Sequence, residues 1–398
     1  MRNWTTGLLQ ALRPDRSSLG IEITDSLIKM TKVHLSSGKA PMIETYDSEV
    51  LPVGCVEEGR IKEPWKVTQI IQTMLVRMDR KSQRVHTVLP SQLVMVRFLK
   101  LPDIPLKDLT KLVDFEVKHN IHLPFDQPYY DFVRLNGADQ AFKKKASKSL
   151  KAAQFSAQQE AAASKENPFD IDPTKGLFDD QVTDEKAEEV LCDVMLVIVP
   201  QEIINEYLNV FQSAKVRLTS MEIKAFSLLR LIQSTKQRLM PTQGTFLMVD
   251  VNATASDLSV FQGDCLKITR CVPLNFKSST EANQLANEPS SSLDLRFAEF
   301  DEPNQVFTQT CHDLAHELER LMNFYRYTLN NRNQEFDGMM LAGDIERMPE
   351  VIEVLKERLT IPVHLFQTED WYGRPSGIRT IDPAYAVPLG LALRGRQS

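Results

Sequence analysis

Two short stretches, far apart in the chain, share a pattern that strongly constrains the fold. Residues 246–264 read FLMVDVNATASDLSVFQGD: apolar residues run into Asp250, a short polar turn follows, and a second apolar run closes the unit. Residues 19–33 repeat this order, with Glu22 close to the turn. Strand, tight turn and strand indicate a hairpin in each case. Two acid-bearing hairpins, one near the start of each half, predict a duplicated fold, although two ordinary hairpins would give the same local pattern.

The hairpin turns also suggest a chemistry. In nucleotide-binding proteins of this shape, backbone N–H groups of the turns point at phosphates, and the acids hold a metal ion or a water molecule. The sequence contains no Walker loop and no Gly-x-Ser-x-Gly elbow. His312 and His316 are four residues apart, but no third ligand accompanies them, so solvated helix histidines are the simpler interpretation. We therefore predict no catalytic residue and no histidine metal site.

Composition excludes several classes of protein. A net charge of -6 and a pI near 5.8 argue against nucleic acid as the main partner. Five cysteines without a CxxC pair indicate neither a zinc site nor a redox pair. No apolar run approaches the ~20 residues that span a bilayer. Near the N-terminus, Trp4, Leu8, Leu9 and Leu12 share one helical face, which is typical of a membrane-surface or partner-binding helix. A poorly ordered terminus, or a helix folded onto the body of the protein, is the alternative.

One internal segment differs from the rest of the chain in composition. Residues 138–189 are rich in Ala, Lys, Ser, Gln, Asp and Glu, and large aliphatic residues are sparse. Such a segment buries too little apolar surface to offset the entropy that ordering costs. We predict a disordered insertion over this range, which is dispensable for folding.

Nine short motifs give the chain a family resemblance. In chain order they are GIE at 20–22, LPVG at 51–54 with GRI at 59–61, FEV at 115–117 with IHLPF at 121–125, VPQE at 199–202, MVD at 248–250, LAG at 341–343, and GLALRG at 390–395. Their order and spacing resemble the PilM family, the actin-like, FtsA-related cytoplasmic proteins of type IV pilus and competence machines. The resemblance runs nearly from end to end, apart from the insertion.

The resemblance implies a fold and a domain plan. The fold would be α/β: an actin-like (ribonuclease H-like) duplicated fold with an inserted subdomain and the disordered insertion. The plan would place a tail at 1–16, a first half at 17–200 with the subdomain at about 41–132, and a second half at 201–398.

The resemblance also implies a site for ATP and Mg²⁺. The residues at the family's loop positions are Glu22, Thr24, Asp25, Ser26, Lys29, Asp250, Asn252, Ser256 and Gly343. Three loops depart from the family pattern: Glu22 and Thr24 replace an Asp and a Gly, Asn252 replaces a Gly, and 342–344 read Ala-Gly-Asp instead of Ser-Gly-Gly. Because glycine allows a backbone to approach a phosphate closely, we predict weak or absent ATP binding and no meaningful turnover.

The function implied by the resemblance is a scaffold at the inner face of the cell membrane. It would bind the N-terminal cytoplasmic peptide of a PilN-like inner-membrane protein and couple it to the pilus assembly ATPase. We expect the peptide at an apolar turn of the subdomain that contains Ile121, Leu123, Pro124 and Phe125; core packing at a subdomain boundary is the alternative for this turn. Two other functions fit the same fold, an actin-like or sugar-kinase-like ATPase and a self-associating, FtsA-like filament protein.

Overall fold

The computed structural model describes residues 16–35, 41–78, 84–136, 190–234, 244–276, 302–366 and 382–396. The described residues of Met1–Met95 and Val199–Ser398 form one compact unit, and those of Val96–Ile198 form a smaller one. The predicted disordered insertion at 138–189 lies outside the described residues, as does the predicted tail apart from Arg16.

The elements alternate along the chain as in an α/β protein. The strands are β1 (Arg16–Ile23), β2 (Leu27–Leu35), β3 (Met42–Val50), β4 (Val56–Glu57), β5 (Arg60–Ile61), β6 (Arg84–Val88), β7 (Met95–Pro102), β8 (Pro128–Asn136), β9 (Leu191–Pro200), β10 (Leu218–Glu222), β11 (Thr245–Val251), β12 (Ser256–Gln262), β13 (Cys265–Val272), β14 (Phe336–Gly343) and β15 (Val363–Leu365). The helices are α1 (Pro64–Arg77), α2 (Leu106–His119), α3 (Gln201–Ser213), α4 (Lys224–Gln233), α5 (Glu302–Asn323), α6 (Met348–Arg358) and α7 (Ala386–Ala392).

Two sheets of the larger unit have the same topology. The first has the order β3-β2-β1-β6-β10, and the second has the order β13-β12-β11-β14-β15. In each, three antiparallel strands are followed by two parallel ones. A helix precedes each of the two parallel strands, α1 and α3 in the first case, α5 and α6 in the second. This repetition is the duplication that the two hairpins predict.

Helical spacing of apolar residues places the outer helices on the sheets. Pro64 begins α1, where its fixed φ suits the first turn, and Val67, Ile71 and Met74 bury one face of the helix in the core of the first sheet. On α5, Leu314, Leu318 and Leu321 do the same in the core of the second sheet. Burial of such an apolar stripe holds each helix in place.

The helix α4 lies between the two sheets. Its Leu228 and Leu231 face Met248 and Met340 of the second sheet across a small apolar cavity. On the side of the first sheet α4 packs against α7, and α7 in turn packs on β1. The contacts are close: a β-carbon at Gly20 would lie 1.9 Å from the Pro388 carbonyl oxygen. These contacts fix where α4 begins relative to both hairpins.

The compact units divide the chain at other places than the predicted domain plan, which stays a prediction. The predicted subdomain at about 41–132 overlaps the smaller unit only in part, because β3 pairs with β2 and α1 packs on the first sheet. Similarly β10, which follows residue 200, completes the first sheet, and α3 packs in the core of that sheet. The smaller unit instead consists of α2 and a sheet of order β7-β9-β8. No helix among the described residues is both long and apolar enough to cross a bilayer.

Candidate functional site

The candidate site lies where the two hairpins meet α4. Glu22 is the penultimate residue of β1, and Asp250 is the penultimate residue of β11; both are almost fully buried. Each acid has a partner directly opposite on the next strand. Glu22 is paired in register with Lys29, whereas Asp250 is paired with Asp257. The first hairpin therefore carries an opposite-charge pair, and the second carries a like-charge pair.

Lys29 connects the first hairpin to the second half. Its Nζ lies 3.0 Å from Glu22 Oε2 and 3.0 Å from Asp344 Oδ2, and it donates to Asn252 Oδ1 at 3.3 Å. Lys29 is 1% exposed, so these contacts have little competition from water. The predicted site residue Lys29 thus links β2 of the first sheet to the residues that directly follow β11 and β14 of the second.

Lys224 occupies the centre of the site. It is the first residue of α4, and its Nζ lies 3.0 Å from Glu22 Oε1, 2.9 Å from Asp250 Oδ2 and 2.9 Å from Asp257 Oδ2. The three carboxylates come from three strands, β1, β11 and β12. One ammonium group therefore neutralises acids of both hairpins, including the like-charge pair of the second.

Burial and mutual charge act against each other on the pKa values of these groups. Burial alone would lower the pKa of Lys224, but the carboxylates of Asp250, Asp257 and Glu22 outweigh it and raise that pKa well above its usual value. Burial would raise the pKa of Asp250, but the two lysines and a hydrogen bond from Asn252 lower it. For Glu22, burial prevails over both lysines and the pKa is raised. Of Asp250 and Glu22, Asp250 is therefore the acid better stabilised as a carboxylate.

The turn of the first hairpin is held by its own polar side chains. The Thr24 hydroxyl accepts from the Leu27 N–H at 3.0 Å and donates to the Leu27 carbonyl at 3.1 Å. Asp25 accepts from the backbone N–H groups of Glu58 and Gly59, and from the Thr254 hydroxyl of the second turn at 3.3 Å. Ser26 is half-buried, and its carbonyl accepts from the Leu51 N–H at 2.7 Å. These predicted site residues close the turn and join it to its neighbours.

The other predicted residues lie at the ends of β11, β12 and β14. Asn252 is buried and donates to Asp250 Oδ2 at 2.6 Å. Ser256 is fully buried, and its hydroxyl has no hydrogen-bond partner among the described residues. Gly343 has φ +132, and a β-carbon there would lie 1.9 Å from the Val251 carbonyl oxygen. The close backbone approach that requires this glycine is thus made to the protein's own strand β11.

Sequence reasoning missed two members of this cluster, Lys224 and Asp257. Asp257 could have been found from the hairpin register, because a four-residue turn after Val251 places it opposite Asp250. Lys224 carried a weaker signal: a cation in the first turn of a helix opposes the helix dipole, and a buried one needs carboxylate partners. Lys224 lies outside both hairpins in sequence, so its position in the structure depends on the packing of α4.

The cluster as arranged does not fit Mg²⁺ with a nucleotide. Such an ion would need carboxylate oxygens, but oxygens of Glu22, Asp250 and Asp257 already surround the Lys224 ammonium group. Asp344, at the third loop, adds a carboxylate to the same cleft. Elsewhere in the described part of the chain, no three His, Cys, Asp or Glu side chains form a group able to hold a metal ion.

The histidine pair and the predicted partner turn lie on other elements. On α5, His312 is half-buried and His316 is exposed, so the pair does not share one environment. In the smaller unit, the turn at 121–125 follows α2, and the Ile121 N–H donates to the Glu116 carbonyl at 2.9 Å. Ile121, Leu123 and Phe125 are half-buried, while His122 and Pro124 are exposed.

Comparison with known proteins supports the resemblance. Residues 20–147 match the family model for type IV pilus assembly protein PilM. The structure is similar to the one described as "PilM-PilN type IV pilus biogenesis complex", with a TM-score of 0.68 and 23% identity over 95% of this chain and 98% of that chain. The predicted α/β actin-like fold is thereby confirmed. No curated protein matches the sequence.

More distant likenesses have lower scores. Ethanolamine utilization protein EutJ from Carboxydothermus hydrogenoformans gives a TM-score of 0.47 at 11% identity, over 96% of this chain and 91% of that chain. MreB5 of Spiroplasma citri, bound to ADP, gives a TM-score of 0.44 at 8% identity, over 96% of this chain and 97% of that chain.

Proposed function

We propose that this chain is a scaffold of a type IV pilus assembly machine that binds a short cytoplasmic segment of a PilN-like inner-membrane protein. The observation that carries the proposal is the likeness in fold to the PilM of a PilM–PilN complex over nearly the whole of both chains. The match of residues 20–147 to the PilM family model supports the same function. That range includes β7, α2 and β8 of the smaller unit.

Partly exposed apolar side chains of the smaller unit support a place for such a segment there. Leu109, Val113 and Val117 bury one face of α2. Phe115 is 52% exposed on the same helix, and its ring lies 4.6 Å from that of His119. The turn at 121–125 follows directly, so Phe115 and the turn give neighbouring apolar side chains that are not fully buried. A peptide could anchor a few apolar side chains there.

The sheet of this unit adds a second kind of contact. β8 is an edge strand in the order β7-β9-β8, and an edge strand offers backbone groups to an added strand. Along β8, the Tyr130 hydroxyl contacts Asp114 of α2, whereas Tyr129 and Val133 are 49% and 45% exposed. Since successive side chains point to opposite faces, Tyr129 and Val133 lie on the face of the sheet turned away from α2.

Binding of a synthetic peptide tests the proposal. The peptide would carry the N-terminal cytoplasmic sequence of the PilN-like protein encoded by the same organism, with affinity measured by calorimetry. Leu123→Asp should weaken binding by roughly tenfold or more, because a charge replaces an apolar anchor. Leu208→Asp is the matched control, since Leu208 is 43% exposed on α3 in the larger unit. Both variants should unfold at the wild-type temperature.

Two results would contradict this proposal in different ways. If the wild-type chain shows no affinity for the peptide, the scaffold function is wrong. If it binds and both variants bind equally well, only the place of binding is wrong. The link to the pilus assembly ATPase and the position at the inner face of the membrane belong to the same proposal. Pulldown of the ATPase from membranes, with and without the PilN-like protein, tests them together.

A further inference from the structure

We propose that Lys224 and Lys29 are built-in cations, which hold the cleft between the two sheets in place of a metal ion and nucleotide. In this view the cleft is closed by the chain itself, and no ligand is needed to join its walls. The proposal concerns the larger unit and does not depend on the peptide site described above.

The environment of Lys224 is that of a bound cation. Three carboxylate oxygens from Glu22, Asp250 and Asp257 lie 2.9–3.0 Å from one nitrogen, and the Lys224 residue is 9% exposed. Carboxylate oxygens gathered from different elements are also what Mg²⁺ and Ca²⁺ bind, at somewhat shorter distances. The ammonium group thus takes the role of the ion, with one difference: it is covalently attached.

The second hairpin needs a cation beside its two opposed aspartates. Asp250 and Asp257 stand directly opposite each other, and like charges in this position destabilise a sheet. Both are buried, so screening by solvent is small. Lys224 contacts both carboxylates, and a free ion would have to displace it to bind them.

The packing of α4 prevents Lys224 from moving aside. Leu228 and Leu231 are buried against the second sheet. On the other side, a β-carbon at Gly390 would lie 2.0 Å from the Ser227 carbonyl oxygen, so α7 and α4 are in very close contact. A helix confined from both sides holds its first residue at a fixed place.

Lys29 closes the remaining side of the cleft. It joins Glu22 of the first sheet to Asp344, which follows the last residue of β14 in the second. The four acids Glu22, Asp250, Asp257 and Asp344 face two ammonium groups, so acids remain in excess. The cluster therefore repels an incoming polyphosphate, and a metal ion would have to displace an ammonium group to reach the carboxylates.

Thermal unfolding of the full chain with and without ligands tests this inference. For the wild-type protein, we expect the same Tm in EDTA, in millimolar Mg²⁺ and in millimolar Mg–ATP. Lys224→Ala should lower Tm by about 5–10 °C in EDTA, because three buried carboxylates lose their counter-charge. Millimolar Mn²⁺ or Ca²⁺ should restore part of that loss, since the vacated centre is then lined by three carboxylates.

Two further variants serve as controls. Lys66→Ala removes a half-buried lysine that lies outside the cluster and pairs with Glu63 at 2.6 Å, and it should change neither Tm nor its response to cations. Lys224→Ala/Asp257→Asn removes the like-charge pair together with the lysine, so it should unfold at a higher temperature in EDTA than Lys224→Ala. The double variant also gives a folded protein to measure if the single variant does not fold.

Three outcomes would overturn the inference. One is a wild-type Tm that rises with Mg–ATP, accompanied by binding heat that Lys224→Ala abolishes; Lys224 would then be a phosphate ligand. Another is a Lys224→Ala variant with the wild-type Tm in EDTA. A third is a double variant no more stable than the single one, which would show that Lys224 does not offset the repulsion between the two aspartates.

Discussion

The two hairpins share a backbone design but differ in how their charges are balanced. In the first, Glu22 stands opposite Lys29, so the hairpin contains its own counter-charge. In the second, Asp250 stands opposite Asp257, and the counter-charge comes from Lys224 on a separate helix. Duplication of a fold therefore does not duplicate its electrostatics. The second hairpin depends on α4 for its counter-charge, whereas the first has Lys29 of its own strand β2 in addition to Lys224.

The strands beside the hairpins give the largest expected difference. Gly343 of β14 pairs with Val251 of β11, and its φ is +132°. The corresponding residue of the first sheet is Leu89, two residues beyond Thr87. Gly343→Ala should destabilise the protein by about 4 kcal/mol, because the new methyl group would overlap the Val251 carbonyl and the backbone would be strained. Denaturant unfolding measures this value.

The matched control for this variant lies in the same strand. A β-carbon at Gly338 would meet nothing closer than the Pro362 carbonyl oxygen at 3.2 Å, and the φ of Gly338 is not positive. Gly338→Ala should therefore cost about 1 kcal/mol or less. Equal effects of the two substitutions would show that the close approach of β14 to β11 has no special role.

The two acids themselves should respond differently to neutralisation. At pH 7, Asp250→Asn should destabilise by about 3 kcal/mol, because it leaves Lys224 with fewer buried partners. Glu22→Gln should cost about 1 kcal/mol, since burial raises the pKa of Glu22 and disfavours its charged form. Denaturant unfolding of both variants at several pH values checks the sign of each change in the free energy of unfolding.

The pH dependence follows from the two pKa directions. The lowered pKa of Asp250 contributes stability above its ordinary value of 3.8, which is lost as the pH falls through the folded-state pKa. The raised pKa of Glu22 has the opposite sign: its contribution is present below its ordinary value of 4.5 and is lost as the pH rises through the folded-state pKa. A larger loss for Glu22→Gln than for Asp250→Asn at pH 7 would contradict this assignment.

Strand β6, which pairs with β1, supplies a pH test in which the expected change in stability is of intermediate size. His86 pairs with Gly20, and at the same place in the second sheet Met340 pairs with Met248. His86 is 1% exposed, and its pKa falls from 6.5 to about 4, because of burial first and then the nearby Arg394, Arg230 and Arg84. The unfolded chain thus binds a proton more readily between these values, and acidification should destabilise the wild type by about 2 kcal/mol from pH 7 to pH 5.

Replacing the histidine isolates its share of this effect. His86→Met, which makes the first sheet like the second, should remove that part of the pH dependence. The His86 Nδ1 lies 2.7 Å from the Ser220 hydroxyl, so Ser220→Ala controls for loss of the hydrogen bond alone. If His86→Met loses as much stability as the wild type between pH 7 and pH 5, groups other than His86 cause the acid sensitivity.

The smallest difference is expected at the tips of the hairpins. Asp25 joins the first tip to the N–H groups of Glu58 and Gly59, and both of these residues have positive φ. Asp25→Ala should cost about 1 kcal/mol, because water can replace part of the lost hydrogen bonding at this partly exposed place. Thr254→Val, at the second tip, removes a single 3.3 Å contact and should be close to neutral.

The sequence predicts those features that depend on neighbouring residues. The hairpins at 19–33 and 246–264 follow from local apolar runs around polar turns, and the register of each follows from its turn. The partners of a strand in a sheet are not local. The pattern of β3 indicates a strand, but its pairing with β2 is a tertiary outcome. For the same reason Lys224 escapes prediction: its contacts depend on a helix that is confined between two sheets.

The position of α7 has a consequence for the order of synthesis. This helix comes from the last part of the chain, yet it packs on β1, β2 and α4, and Arg230 holds it by donating to the Gly390 carbonyl at 2.8 Å. The strands of the first hairpin leave the ribosome more than 350 residues before the helix that covers them. Until then the nascent chain exposes an apolar sheet face, and such faces promote aggregation. We therefore expect the first sheet to need protection by a chaperone throughout translation, while the second sheet completes its own strands in one continuous stretch.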